Sequence, residues 1–167
     1  DTLAAMKCIV DYPEDHPFPI QNLPYGSFYT AGDASSQRCG VAIGDCILDL
    51  QALSYTSHFP PDFDRDVFAV QPTLNAFMGL EKQAWLQFRS SLQQLLSQPS
   101  ELSLDATVTA ADVETGIALP EHIGRRLFVD RLAQDTVPCL PCRIGDYTDF
   151  YSSLEHAYNC GVLIRGK

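Results

Sequence analysis

Basic charge is scarce in this sequence. Lys and Arg number 11 against 21 Asp and Glu, a net charge of −10, and the isoelectric point lies near 4.6. A nucleic-acid binder neutralises phosphates with a basic face, and no such surplus exists here. Long apolar runs are missing as well, since none approaches the ~20 residues of a spanning helix. The stretch from Asp1 to Val10 has no basic segment followed by a long hydrophobic one, so no secretory signal is expected. Nucleic acid, membrane and secretion are disfavoured before any motif is considered. A second C-x-x-C and an H-x-x-x-H are also absent. That leaves Cys139-Leu140-Pro141-Cys142 short of the four ligands a structural zinc needs.

What is present is ordinary for a soluble globular protein. The 167 residues suggest one domain, or one domain and part of another, and 46% are apolar against 19% charged. That is enough to bury a core without disulfide or metal staples. The six cysteines (8, 39, 46, 139, 142 and 160) are therefore expected as reduced thiols in a cytoplasmic protein. Pro138 and Pro141 make the C-x-x-C stretch extended, so it is expected as a linker with two incidental thiols and not as a redox motif. The sequence starts at Asp1 and stops at Arg165-Gly166-Lys167, just after an apolar run that looks helical. Such a helix needs a layer to cover it, so a piece of a longer protein is expected.

Four prolines, at 13, 17, 19 and 24, forbid a helix between residues 11 and 26. Ser27 to Ala31 suggests a strand. Cys39 to Ile43 and Cys46 to Leu50 flank Gly44-Asp45, a two-residue loop suited to a type II′ turn in a hairpin. Thr73 to Gln98 has helical periodicity in Phe77, Ala84, Phe88, Leu92 and Leu95, with Thr73 as cap and a break or kink at Gly79. Phe77, Trp85 and Phe88 are expected in core packing rather than in a ligand box. Residues 99–118 show no clear pattern. Residues 119–143 look like a connector carrying an echo, Leu119-Pro120-Glu121-His122-Ile123-Gly124 against Leu140-Pro141-Cys142-Arg143-Ile144-Gly145. Two copies are too few for a repeat architecture, which leaves an inter-domain insertion or a gene-prediction artefact.

The densest chemistry lies between Ile144 and Ala157. Asp146 and Asp149 precede a plausible helix, where free N–H groups and the dipole favour a carboxylate. Capping accounts for one of them. Two aspartates, two tyrosines and a histidine within eleven residues exceed what capping requires. On an ideal helix Asp149 and His156 share a face about two turns, ~10 Å, apart. A metal-suited oxygen and a general-base candidate would then line one wall, with a helix cap and a surface histidine as the plain alternative. Tyr151 and Arg165 fall elsewhere on that helix.

Ile144 to Ser153 (I-G-D-Y-T-D-F-Y-S-S), then His156-Ala157, Gly161 and Arg165-Gly166-Lys167, resembles the entry to the catalytic domain of the fumarylacetoacetase (fumarylacetoacetate hydrolase) family. Phe18 to Gly26 (F-P-I-Q-N-L-P-Y-G), Gly40 to Leu50 (G-V-A-I-G-D-C-I-L-D-L) and Asn75 to Leu80 (N-A-F-M-G-L) agree with it in the same order. The resemblance implies a mixed, mainly β fold: a small β-barrel of the Src-homology-3-like type with helices over 14–118, a connector over 119–143, and the first part of a mixed-β hydrolase domain over 144–167. It implies hydrolysis of a carbon–carbon bond in the 1,3-diketo acid fumarylacetoacetate to fumarate and acetoacetate, the last step of tyrosine and phenylalanine breakdown. By motif position, Asp149 matches a calcium ligand and His156 the base that activates water, while Tyr151 and Arg165 match substrate-binding positions.

The chemistry is coherent with those roles. A 1,3-dicarbonyl chelates a hard cation, calcium or magnesium, which polarises the carbonyl and stabilises the enolate that leaves. Histidine titrates near working pH, and arginine grips a carboxylate with two hydrogen bonds. The family's other acidic ligands, the carboxylate that orients the histidine and the lysine-containing oxyanion group are implied to lie beyond Lys167. The chain alone is therefore expected to be inactive and to bind calcium weakly, with a homodimer for the full-length protein. Two other functions stay open: a stand-alone β-barrel binding module, or a relative acting on another diketo acid.

Overall fold

The structure, a computed structural model, describes residues 7–114 and 123–166. Five antiparallel strands form one sheet: β1 (Tyr25–Tyr29), β2 (Arg38–Ile43), β3 (Cys46–Asp49), β4 (Phe128–Asp130) and β5 (Val137–Cys139), in the order β4-β3-β2-β1-β5. The hairpin between β2 and β3 forms where expected. Gly44 has φ +53° and Asp45 does not go positive, as a type II′ turn demands. Leu50, expected as the last strand residue, instead opens helix α1 (Leu50–Ser54) because the Asp49 carboxylate accepts the Ala52 N–H at 2.9 Å.

Strand pairing assigns the faces. Tyr25, Val41, Leu48 and Phe128 are in register on one face, and Tyr25 packs its ring 4.9 Å from Phe77. Helices α2 (Asp66–Ala69), α3 (Asn75–Met78) and α4 (Lys82–Leu96) cover that face. Phe63, Phe68, Phe77 and Phe88 meet there, with Phe63 and Phe88 centroids 4.4 Å apart. Core packing of Phe77 and Phe88 is thus as expected. Trp85 differs, being more than a third exposed and donating its indole N–H to the Phe77 carbonyl at 2.7 Å. On the opposite face the guanidinium of Arg38 and the carboxylate of Asp49 form a fully buried pair, with Arg38 stacked 4.4 Å over Phe28.

The stretch 73–98 is helical with the expected break at Gly79, giving α3 and an α4 that starts from an extended Glu81. Three expectations change. Thr73 does not cap either helix, because its hydroxyl bonds the Asn75 side chain at 2.9 Å. The unpatterned 99–118 stretch includes a short helix, α5 (Ala110–Glu114), and Asp112 accepts from the Thr109 N–H at 2.7 Å. Third, the stretch expected as a connector supplies both outer strands of the sheet. Its Leu127 and Phe128 are buried, β4 pairs with β3, and β5 pairs with β1. Three-residue strands are too short to show an alternating pattern, and Pro138 sits on an edge strand where its missing N–H costs no ladder bond. Residues 119–122, with most of the first copy of the echo, lie outside the described residues.

The small antiparallel β domain is there, as a curled half-barrel whose β4 and β5 edges are not hydrogen-bonded to each other. None of the six cysteines is disulfide-bonded. No helix among the described residues is long and apolar enough to cross a membrane.

Candidate functional site

The chain leaves β5 through Pro141 and Arg143, which are pinned to the start of α3. The Leu74 N–H donates to the Pro141 carbonyl at 2.7 Å. The Asn75 carboxamide brackets Arg143, accepting its N–H at 2.7 Å and donating to its carbonyl at 3.1 Å. Beyond that bracket, residues 144–153 form no helix or strand, and α6 (Leu154–Arg165) follows.

Ser153 caps α6. Its hydroxyl oxygen accepts the His156 N–H at 3.2 Å and its hydroxyl donates to Glu155 at 2.9 Å. The Glu155 carboxyl is held below its ordinary range by its own backbone N–H and by that hydroxyl. A serine immediately before the apolar run therefore does the capping that was expected of one of Asp146 and Asp149. Asp149 consequently lies upstream of the helix, and the shared helical face expected for Asp149 and His156 does not exist.

Tyr151 and His156 are brought together instead, with ring centroids 5.2 Å apart at 58°. Cys160, one turn on, places its sulfur 3.9 Å from His156 Nε2, a neighbour the sequence motifs did not single out although its i, i+4 spacing was visible. Arg165 closes the last turn of α6. Nine residues separate it from His156, which puts the two on opposite sides of the helix about 13 Å apart along its axis. Asp149, Tyr151, His156 and Arg165 are all solvent-exposed, and no residue of α6 is buried.

As a metal centre this strip is incomplete. No three His, Cys, Asp or Glu side chains among the described residues come together to hold an ion. Calcium takes about six to eight oxygens, and Asp149 offers one carboxylate, so the residues present do not by themselves fit the ion. Nor does a carboxylate among the described residues orient the His156 ring, as a general base ordinarily requires. What the arrangement can do is present an imidazole and a phenol side by side, His156 on the first turn of α6 and Tyr151 just upstream of it.

A family model described as fumarylacetoacetase N-terminal matches residues 21–120. A fumarylacetoacetase of Caenorhabditis elegans is 44% identical over 163 residues, which is 97% of this chain and 35% of that protein. The fumarylacetoacetase of Bos taurus is 45% identical over 159 residues, 95% of this chain and 34% of its own length. That of Arabidopsis thaliana is 38% identical over 166 residues, 98% of this chain and 35% of its own. The chain thus spans about a third of the length of the curated relatives it matches. With the half-barrel, the bracketed strip and these likenesses together, the chain belongs to the fumarylacetoacetase family.

Proposed function

We propose that the protein containing this chain hydrolyses the carbon–carbon bond of fumarylacetoacetate, yielding fumarate and acetoacetate at the end of tyrosine and phenylalanine catabolism. The observation that carries this is the identity of 44% over 97% of the chain with a protein named fumarylacetoacetase, a span long enough to include most of the strip of residues 144–166. His156 is the base. It takes a proton from water as the oxygen adds to the carbonyl on the fumaryl side. The carbon–carbon bond then breaks with its electron pair on acetoacetate, and His156 returns the proton to that carbon. Tyr151, packed against the imidazole, orients the substrate, and Arg165 pairs with a substrate carboxylate. Asp149 contributes one ligand to a divalent cation, calcium or magnesium, whose remaining ligands are not among these residues.

The six unbonded thiols fit a cytoplasmic protein. The exposed Leu154, Leu163 and Ile164 offer apolar area that the rest of the protein, as a homodimer, would cover. The 167-residue chain alone does not turn over, because among the described residues His156 has no orienting carboxylate and the cation has no further ligands.

Fumarate release by the full-length protein tests the assignment. His156→Ala lowers kcat at least about 100-fold, as loss of a general base does, with little change in KM. Arg165→Ala raises KM instead. Turnover by His156→Ala at the parent rate would remove His156 from the reaction, and absence of fumarate from the unmodified protein would remove the assignment itself.

A further inference from the structure

Calcium and magnesium are hard cations that prefer oxygen, yet beside the imidazole of His156 stands a thiol. Cys160 follows His156 by four residues on α6, a spacing that stacks two side chains on one helix face whatever else packs there. The sulfur lies 3.9 Å from Nε2 and 4.0 Å from Nδ1. As a hydrogen bond the pair is worth little, because a thiol is a weak donor and a weak acceptor. As a pair of donors it is of the kind that zinc selects.

Zn–S bonds of about 2.3 Å and Zn–N bonds of about 2.0–2.1 Å at a tetrahedral angle hold nitrogen and sulfur about 3.6 Å apart. The observed separation is a little longer. Its near equality for the two ring nitrogens means that a turn of the exposed imidazole brings one of them to bear on the ion. Among the described residues no third His, Cys, Asp or Glu side chain joins the pair. Water then fills the remaining positions of a tetrahedral ion, as in a site that takes up and releases metal rather than a structural staple. Cys8 and Cys39 are buried and do not compete for the ion.

We propose that His156 and Cys160 form a two-donor site for a thiophilic divalent ion, zinc above all, and that its occupation switches the hydrolase off. The ion binds one imidazole nitrogen and the thiolate, and the thiol proton passes to solvent. A neutral imidazole has a single lone-pair nitrogen, and the ion takes it. The inhibition rests on the role of His156 proposed above, whereas the binding does not.

Cobalt(II) serves as the coloured stand-in for zinc, on the full-length protein with calcium in excess. One equivalent gives a thiolate-to-cobalt charge-transfer band, which zinc displaces with a micromolar Kd and calcium leaves in place. Cys160→Ala removes the band, and Cys142→Ala keeps it. His156→Ala weakens cobalt binding at least about tenfold, because one donor is left. In turnover, zinc lowers fumarate release by the unsubstituted protein. Cys160→Ala releases fumarate at the parent rate and needs at least about tenfold more zinc for the same loss. The proposal is overturned if no thiolate band forms, or if Cys160→Ala leaves the band or the zinc sensitivity in place. A band that depends on Cys160, with turnover indifferent to zinc, overturns the switch and with it His156 as base. Absence of fumarate from the unsubstituted protein removes the hydrolytic assignment, and the band alone then decides the site. The displacement of cobalt by zinc on the unsubstituted protein holds even if a variant fails to fold.

Discussion

Between residues 7 and 143, large apolar side chains such as Phe59, Phe68, Phe88 and Leu92 are almost wholly withdrawn from water. Between residues 144 and 166 none is: Leu154 is 81% exposed and Leu163 is 86% exposed. The first region has its own core and a buried ion pair within it. The second has local devices only, a serine cap and contacts one helical turn apart. A helix of twelve residues is marginal in water without packing. The residues proposed for chemistry all lie in the region without a core, so their final geometry is set by what packs on them. What the first region contributes to them is an anchor, through Asn75 and Arg143.

This contrast can be broken most forcefully at Asp49. Asp49→Ala leaves Arg38 buried without its partner and removes the cap of α1, a loss of about 3–5 kcal/mol in urea unfolding. A loss under about 1 kcal/mol would show that the pair is not buried in solution. Matched truncations sharpen the comparison directly. Phe88→Ala costs about 3–5 kcal/mol, while Leu163→Ala in the 167-residue chain stays within about 0.5 kcal/mol. Equal effects would mean that α6 packs on the sheet domain after all.

Smaller still is the effect at the cap. Ser153→Ala weakens α6 by about 1 kcal/mol, visible as lost helical circular dichroism while the urea midpoint of the sheet domain stays in place. The smallest effect is on the alkaline side. Burial pushes the Tyr25 phenol up to about 12, from an ordinary value near 10. Its contribution to stability is therefore complete below the unfolded value and is lost as pH rises through the folded one. Unfolding measured between pH 10 and 12 loses stability with rising pH, and Tyr25→Phe flattens that loss. At neutral pH this variant is close to neutral, because the hydroxyl has no partner among the described residues. A steep loss that Tyr25→Phe leaves unchanged would assign it to other groups.

How much of this was legible follows from where local signals are strong. Gly44 is the residue type that a positive φ requires, so the hairpin was readable from two letters. Gly79 marked the break before α4 for a different reason, its low helix propensity, since its own φ is −74°. β4 and β5 were not readable, because three residues carry no periodicity and their pairing is set by distant partners. The expected face shared by Asp149 and His156 failed on one residue: Ser153 outcompetes the aspartates as cap and starts the helix four residues later than the geometry needed. Asp149 and His156 stood out by residue type and spacing, Tyr151 and Arg165 took roles only through the family resemblance, and the structure sets His156 beside Tyr151 instead of Asp149.

The two outer strands of the sheet come from residues 128–139, after every helix that packs on it. Ser27 must wait for Cys139, and Leu48 for Phe128, before either edge is covered. During synthesis, then, the first three strands and the aromatic cluster leave the ribosome with both sheet edges bare. Such edges invite pairing with other chains, and contacts so distant in sequence are slow to form. A nascent chain cut short before residue 139 would carry most of the core and present the five-residue β1 as a bare edge, where the longer chain ends the sheet in three-residue strands, one of them carrying Pro138, that offer less for another chain to pair with.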